Sequence, residues 1–62
     1  MNSSVIEVNL YSGKTLYLDV RQVSCAYSYF RDGTTGTIFN VNGVEFFTHE
    51  KVETFLERIG WR

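Results

Sequence analysis

Sixty-two residues with six basic and seven acidic side chains carry a net charge of −1, which argues against a polyanion binder driven by bulk charge and equally against an acidic mimic of nucleic acid. A chain this short forms one domain and buries only about 60% of the surface it exposes when unfolded, so its stability is marginal. Aromatic residues make up 16% of it and proline is absent, a composition too apolar to remain disordered.

Small domains commonly gain stability from disulfides, a metal or a partner subunit. Cys25 is the single cysteine, so no intrachain disulfide forms, and an unpaired thiol suits a reducing cytosol. Only His49 and Cys25 are good nitrogen or sulfur ligands for a metal, too few for a structural zinc site. Oligomerisation is the remaining device, and a homodimer is expected. The run Met1-Asn2-Ser3-Ser4 has neither the basic start nor the apolar stretch of a leader peptide. No apolar run approaches the ~18 residues of a transmembrane helix. A cytoplasmic location without membrane contact is expected.

Along the chain, Val5 to Tyr11 alternates, with Ile6, Val8 and Leu10 on one side and Glu7, Asn9 and Tyr11 on the other, the pattern of a half-buried strand. Lys14 to Val20 alternates too, Leu16, Leu18 and Val20 against Thr15, Tyr17 and Asp19. Parity fixes the connection. A two-residue Ser12-Gly13 turn would mix the faces, whereas a three-residue loop ending in Gly13 sets Val8 opposite Leu16 and Ile6 opposite Leu18. A type I turn with a bulge at Gly13 is predicted.

Asp19 to Val23 reads as one helical turn capped by Asp19 or as a bent continuation of the strand. Val23 to Phe30 is a third strand of ambiguous facing: Val23, Cys25, Tyr27 and Tyr29 on one side, Ser24, Ala26, Ser28 and Phe30 on the other. Cys25, in mid-strand, reads as a small packed residue. Arg31 to Gly36 reads as a polar loop.

The stretch from Thr37 to Gly60 is the most legible. Asn42-Gly43 between two apolar runs is a strong hairpin signal, because a type I′ turn needs positive φ at both central residues. It pairs Val41 with Val44, Phe39 with Phe46 and Thr37 with Thr48, and leaves Ile38 and Phe47 on the opposite face. A helix over His49–Ile59 is predicted, capped by the Thr48 hydroxyl. Val52, Phe55, Leu56 and Ile59 form one apolar stripe, and Gly60 is the C-terminal stop. Trp61 then folds back onto the helix end or the sheet.

The expected product is an α+β domain: a twisted antiparallel meander of about five strands with one C-terminal helix packed on one face. A helix of about eleven residues spans only ~16 Å and cannot cover both faces. The uncovered face is expected to carry some of Tyr17, Tyr27, Tyr29, Ile38 and Phe47, and apolar patches of this kind mark interfaces.

No nucleophile–base–orienter set is visible, so no enzyme activity and no cofactor are expected. His49 and Glu53, four apart, could share a helix face, but this is not the two-histidine pattern of metalloproteases, and a solvated first turn is the plainer reading. The expected function is a small non-enzymatic regulatory protein that binds and modulates a protein target through its aromatic face. The alternative is a single-stranded nucleic-acid binder, with Tyr27 and Tyr29 stacking bases between Arg21 and Arg31.

Val5-Ile6, Leu10 with Ser12-Gly13-Lys14, Leu16 and Leu18, then Thr37 to Gly43, Phe46 and a helix near Thr48 together resemble the small flagellar FlbD/SwrD-type proteins. The resemblance spans most of the chain in order and spacing. The departures are a longer loop at Arg31–Gly36, a more tyrosine-rich central strand and the added Trp61. The resemblance implies a small bacterial or phage-type cytoplasmic protein that acts through a partner, such as a motility accessory protein; a bacterial regulator or a phage-encoded accessory inhibitor would both fit the chain's size.

Overall fold

The computed structural model describes residues 4–62; Met1-Asn2-Ser3, read above for a leader, lies outside them. Five antiparallel strands and one C-terminal helix follow one another: β1 (Val5–Asn9), β2 (Thr15–Asp19), a 3-10 turn (Val20–Gln22), β3 (Val23–Arg31), β4 (Thr34–Val41), β5 (Val44–Thr48) and α1 (Val52–Arg58). The strands form two sheets, β1-β2 and β3-β4-β5, so the expected α+β architecture stands.

The first hairpin has the register that parity demands, Val8 opposite Leu16 and Ile6 opposite Leu18. The Gly13 N–H donates to the Leu10 carbonyl at 2.9 Å, the Leu10 N–H donates to the Lys14 carbonyl at 2.8 Å, and Gly13 stands at φ 96°. This is the type I turn with a glycine bulge. The second hairpin pairs Val41 with Val44, Phe39 with Phe46 and Thr37 with Thr48. Asn42 at φ 52° and Gly43 at φ 86° give the type I′ turn.

The meander breaks where the sequence left two options. Asp19 accepts a hydrogen bond from the Arg21 N–H at 3.0 Å and caps the 3-10 turn. That turn swings the chain out of the first sheet, and β2 and β3 do not pair. The sheets rejoin at the opposite corner through a bridge between Leu10 and Thr48. The Tyr11 N–H donates to the Phe47 carbonyl at 2.8 Å there, and the Thr48 hydroxyl donates to the Asn9 carbonyl at 2.9 Å. Closure stops at that corner, because among the described residues no strand pairs with the far edge of β3.

Three expectations are corrected. Arg31 to Gly36 is not a loop: β3 runs on to Arg31, β4 begins at Thr34, and only Asp32-Gly33 turns, at φ 53° and 79°. Val23 does not share a face with Cys25. The register shifts between them, with Val23 opposite Val41 and Cys25 opposite Asn40, so the bulge at Ser24 sends Val23 inward. The helix does not start at His49. Its N-cap is Lys51, without a side-chain cap. The Thr48 hydroxyl accepts instead from the Glu50 N–H at 3.4 Å, while the Thr37 hydroxyl holds the Glu50 carbonyl at 2.8 Å. These bonds fix a bend at His49-Glu50, and only Lys51 is extended before the helix begins.

The core lies between the two sheets and α1. Val8 and Leu18 come from the first sheet, Val23 and Phe39 from the second, and Phe55 and Ile59 from α1. Phe39 and Phe55, each 0% exposed, hold their ring centroids 4.6 Å apart. Burying each ring stabilises the fold by about 1.5–3 kcal/mol. At the helix end the Gly60 N–H donates to the Glu57 carbonyl at 3.2 Å and the Trp61 N–H to the Leu56 carbonyl at 2.9 Å. With Gly60 at φ 85° this is a complete Schellman stop. Arg58 then donates to both the Glu50 carboxylate and the Glu7 carbonyl, which pins α1 to β1. Among the described residues no helix is long and apolar enough to cross a membrane.

Candidate functional site: the outer face of the three-stranded sheet

Register decides which side chains look away from the helix. Tyr27, Ile38 and Phe47 lie side by side across the three strands, as do Cys25, Asn40 and Glu45; Tyr29 lies beside Gly36 and Arg31 beside Thr34. Cross-strand partners share a face, so these residues form the outer surface. Helix α1 sits on the other side, against Phe39, and leaves this one bare. Four of the five expected interface residues, Tyr27, Tyr29, Ile38 and Phe47, thus come together. The fifth, Tyr17, stands 71% exposed on β2 in the other sheet.

Two residues, Tyr11 and His49, join the group that the strand pattern alone did not bring in. Tyr11, in the first hairpin loop, lays its ring 4.8 Å from Phe47 and 4.3 Å from His49. Tyr29 meets Phe47 edge to face at 4.9 Å. The backbone bond from Tyr11 to Phe47 carries the loop across the edge of β5 and sets the first of these contacts. Aromatic pairs at such distances contribute about 0.5–1.5 kcal/mol beyond their buried area. The cluster is therefore a preformed surface rather than a set of independently swinging side chains.

Beside the cluster lies an open concavity of ≈ 440 Å³ lined by Tyr11, Tyr29, Arg31, Asp32, Thr34, Ile38 and Phe47. Its floor is apolar and its rim is charged. Arg31 and Asp32 form only a loose pair at 3.8 Å, with side chains 75% and 91% exposed, and such pairs hold little energy. Both remain available to another molecule.

At the other end of the face, the Tyr27 hydroxyl donates to the Glu45 carboxylate at 3.2 Å. Loss of water around the ring, together with the neighbouring Glu45 charge, holds its proton above the ordinary phenol value, so Tyr27 remains a neutral donor at physiological pH.

The proposed nucleic-acid set is divided by the fold. Tyr29 and Arg31 both line the concavity. Arg21 points its guanidinium at Asp19, with bonds of 3.1 and 2.9 Å, and belongs to the 3-10 turn. Cys25 is exposed, contrary to the packed position expected, because the bulge at Ser24 shifts it to the outer face. His49 is not on the helix with Glu53 but in the crossing before it. Among the described residues no three His, Cys, Asp or Glu side chains are grouped to hold a metal ion. Comparison with family models, with curated proteins and with solved structures finds no match to the chain.

Proposed function

We infer that this chain is a small non-enzymatic binding protein whose outer sheet face, centred on Phe47 and Tyr29, takes a protein target. The observation that carries the reading is the aromatic cluster itself. Tyr11, Tyr29 and Phe47 are packed against one another, yet no element among the described residues covers them. Preformed aromatic surfaces with a charged rim match the anatomy of protein interfaces, where rigid aromatics supply contact area at low entropic cost. The target binds in the cytoplasm of a bacterial or phage-infected cell, and the chain acts on it as a regulator or an inhibitor. A motility role of the kind that the FlbD-type resemblance implies is one instance of such binding. The chain works as a homodimer.

Affinity capture from the native cell tests this reading. The wild-type chain is expected to retain a specific protein that the Tyr27→Ala, Phe47→Ala double variant loses while keeping its circular dichroism. Equal capture by both would refute it.

A second reading rests on Tyr29 and Arg31 lining one concavity: a stacked base above Tyr29 with its phosphate at Arg31. It requires binding of a short single-stranded oligonucleotide that weakens with salt. No retention at low salt removes it.

A further inference from the structure

We propose that two copies of this chain pair along the free edge of β3, antiparallel about a two-fold axis at Ser28, and so form one continuous six-stranded sheet. The argument begins with the edges. Natural sheets protect a free edge by shortness, by charge, by proline or by cover, because its unpaired N–H and C=O groups template another strand. β1 and β2 are each five residues long and carry Glu7 and Asp19. β5 also has five residues, carries Glu45, and is capped by Tyr11 and Leu10.

β3 has the least of these protections, its one charge being Arg31 at the last position. It is nine residues long, and Val23 to Phe30 contains no charge and no proline. From Cys25 to Arg31 its outer edge has no backbone partner among the described residues. Exposed apolar side chains flank that edge on both faces, Tyr27 at 49% and Phe30 at 72%.

A second copy fits this edge better than a strand of some other kind. The pairing is isologous, so each copy satisfies the other with the same groups. The strand meets its own image without opposing like charges, because its one charge, Arg31, falls opposite the partner's Cys25. The regular part of β3 is bounded by the bulge at Ser24 and by the Asp32-Gly33 turn, and its midpoint is Ser28. Centring there sets Tyr27 opposite the partner's Tyr29, and Phe30 opposite the partner's Ala26. The two Arg31 side chains stand six residues apart along the strand, about 20 Å at ~3.4 Å per residue. A two-fold axis normal to the sheet keeps both helices on one side and joins the two outer faces on the other. The pairing does not depend on what those outer faces bind.

Light scattering on the purified chain, at about 0.1 mM to admit a modest affinity, is expected to give twice the 7.2 kDa chain mass. Ser28→Lys, which opposes two ammonium groups at the axis, is expected to halve that mass with circular dichroism unchanged. Cys25→Ser combined with Ser28→Cys is expected to oxidise to a covalent dimer, and Cys25→Ser with Phe30→Cys is not, because its thiols lie four residues out of register. A wild-type monomer at that concentration overturns the proposal. So does a dimer in which Ser28→Cys fails to cross-link.

Discussion

The ring of Phe47 rests against Gly36: a Cβ built on that glycine would stand 2.8 Å from the Phe47 ring and 2.3 Å from the Thr48 carbonyl oxygen. Gly36 has ordinary extended backbone, so the reason for glycine is space and not torsion. The neighbouring strand comes this close because the chain leaves β5 there and crosses towards α1. One missing methyl thus positions both the aromatic cluster and the entry to the helix.

Gly36→Ala is therefore expected to destabilise the domain by about 1–3 kcal/mol, the usual cost of overpacking. Chemical denaturation measures it. Gly13→Ala provides a contrast. Its added Cβ meets nothing within 4 Å, so the cost comes from the left-handed backbone alone, roughly 1 kcal/mol.

The corner between the sheets hangs on a buried hydroxyl. Thr48 is 1% exposed and donates to the Asn9 carbonyl. Thr48→Val keeps the shape but leaves that carbonyl without its partner, at a cost of about 1–3 kcal/mol. Hydrogen exchange is expected to show faster opening at Leu10 and Tyr11 than in β3, because the lost bond ties β1 to β5.

Acid is expected to weaken the 3-10 turn. The Arg21 guanidinium, and then its backbone N–H, hold the Asp19 carboxyl down to about 2 from an ordinary 3.8. A carboxyl depressed in the folded state adds stability above its unfolded value and loses it as pH falls towards the folded one. Wild type is thus expected to exceed Arg21→Ala in thermal stability at neutral pH. The gap closes between about pH 4 and pH 2. Thermal melts across that range check it, and a gap that is constant with pH would contradict the assignment.

Much of this molecule was legible because its signals are local. Parity fixed the first hairpin, Asn42-Gly43 fixed the second, and the Val52-Phe55-Leu56-Ile59 stripe fixed the helix face. What escaped depends on contacts between distant residues. The Asp32-Gly33 turn carries the same chemistry as Asn42-Gly43, but the polar Thr34-Thr35-Gly36 that follows reads as loop until pairing with Tyr29 and Phe30 makes it strand. The bulge at Ser24 has no signature in its own residues; it appears only when Val23 is buried against the core while Cys25 faces out. The helix start shifted because the Thr37 hydroxyl holds the Glu50 carbonyl, a bond that spans 13 residues. A shortage of helix pointed to a bare sheet face, and Tyr27, Tyr29, Ile38 and Phe47 lie on it while Tyr17 does not. Tyr11 joined it through a backbone bond that no periodicity encodes.

Tyrosine at position 17 supplies a control for the central claim, since it is more exposed than Tyr27 but lies on the other sheet. A photo-crosslinking phenylalanine analogue placed at position 29, 27 or 17 in turn, in the native cell, measures which surface the target touches. The account predicts one specific adduct from positions 27 and 29 and none from 17. The same adduct from 17, with none from 27 or 29, would contradict it.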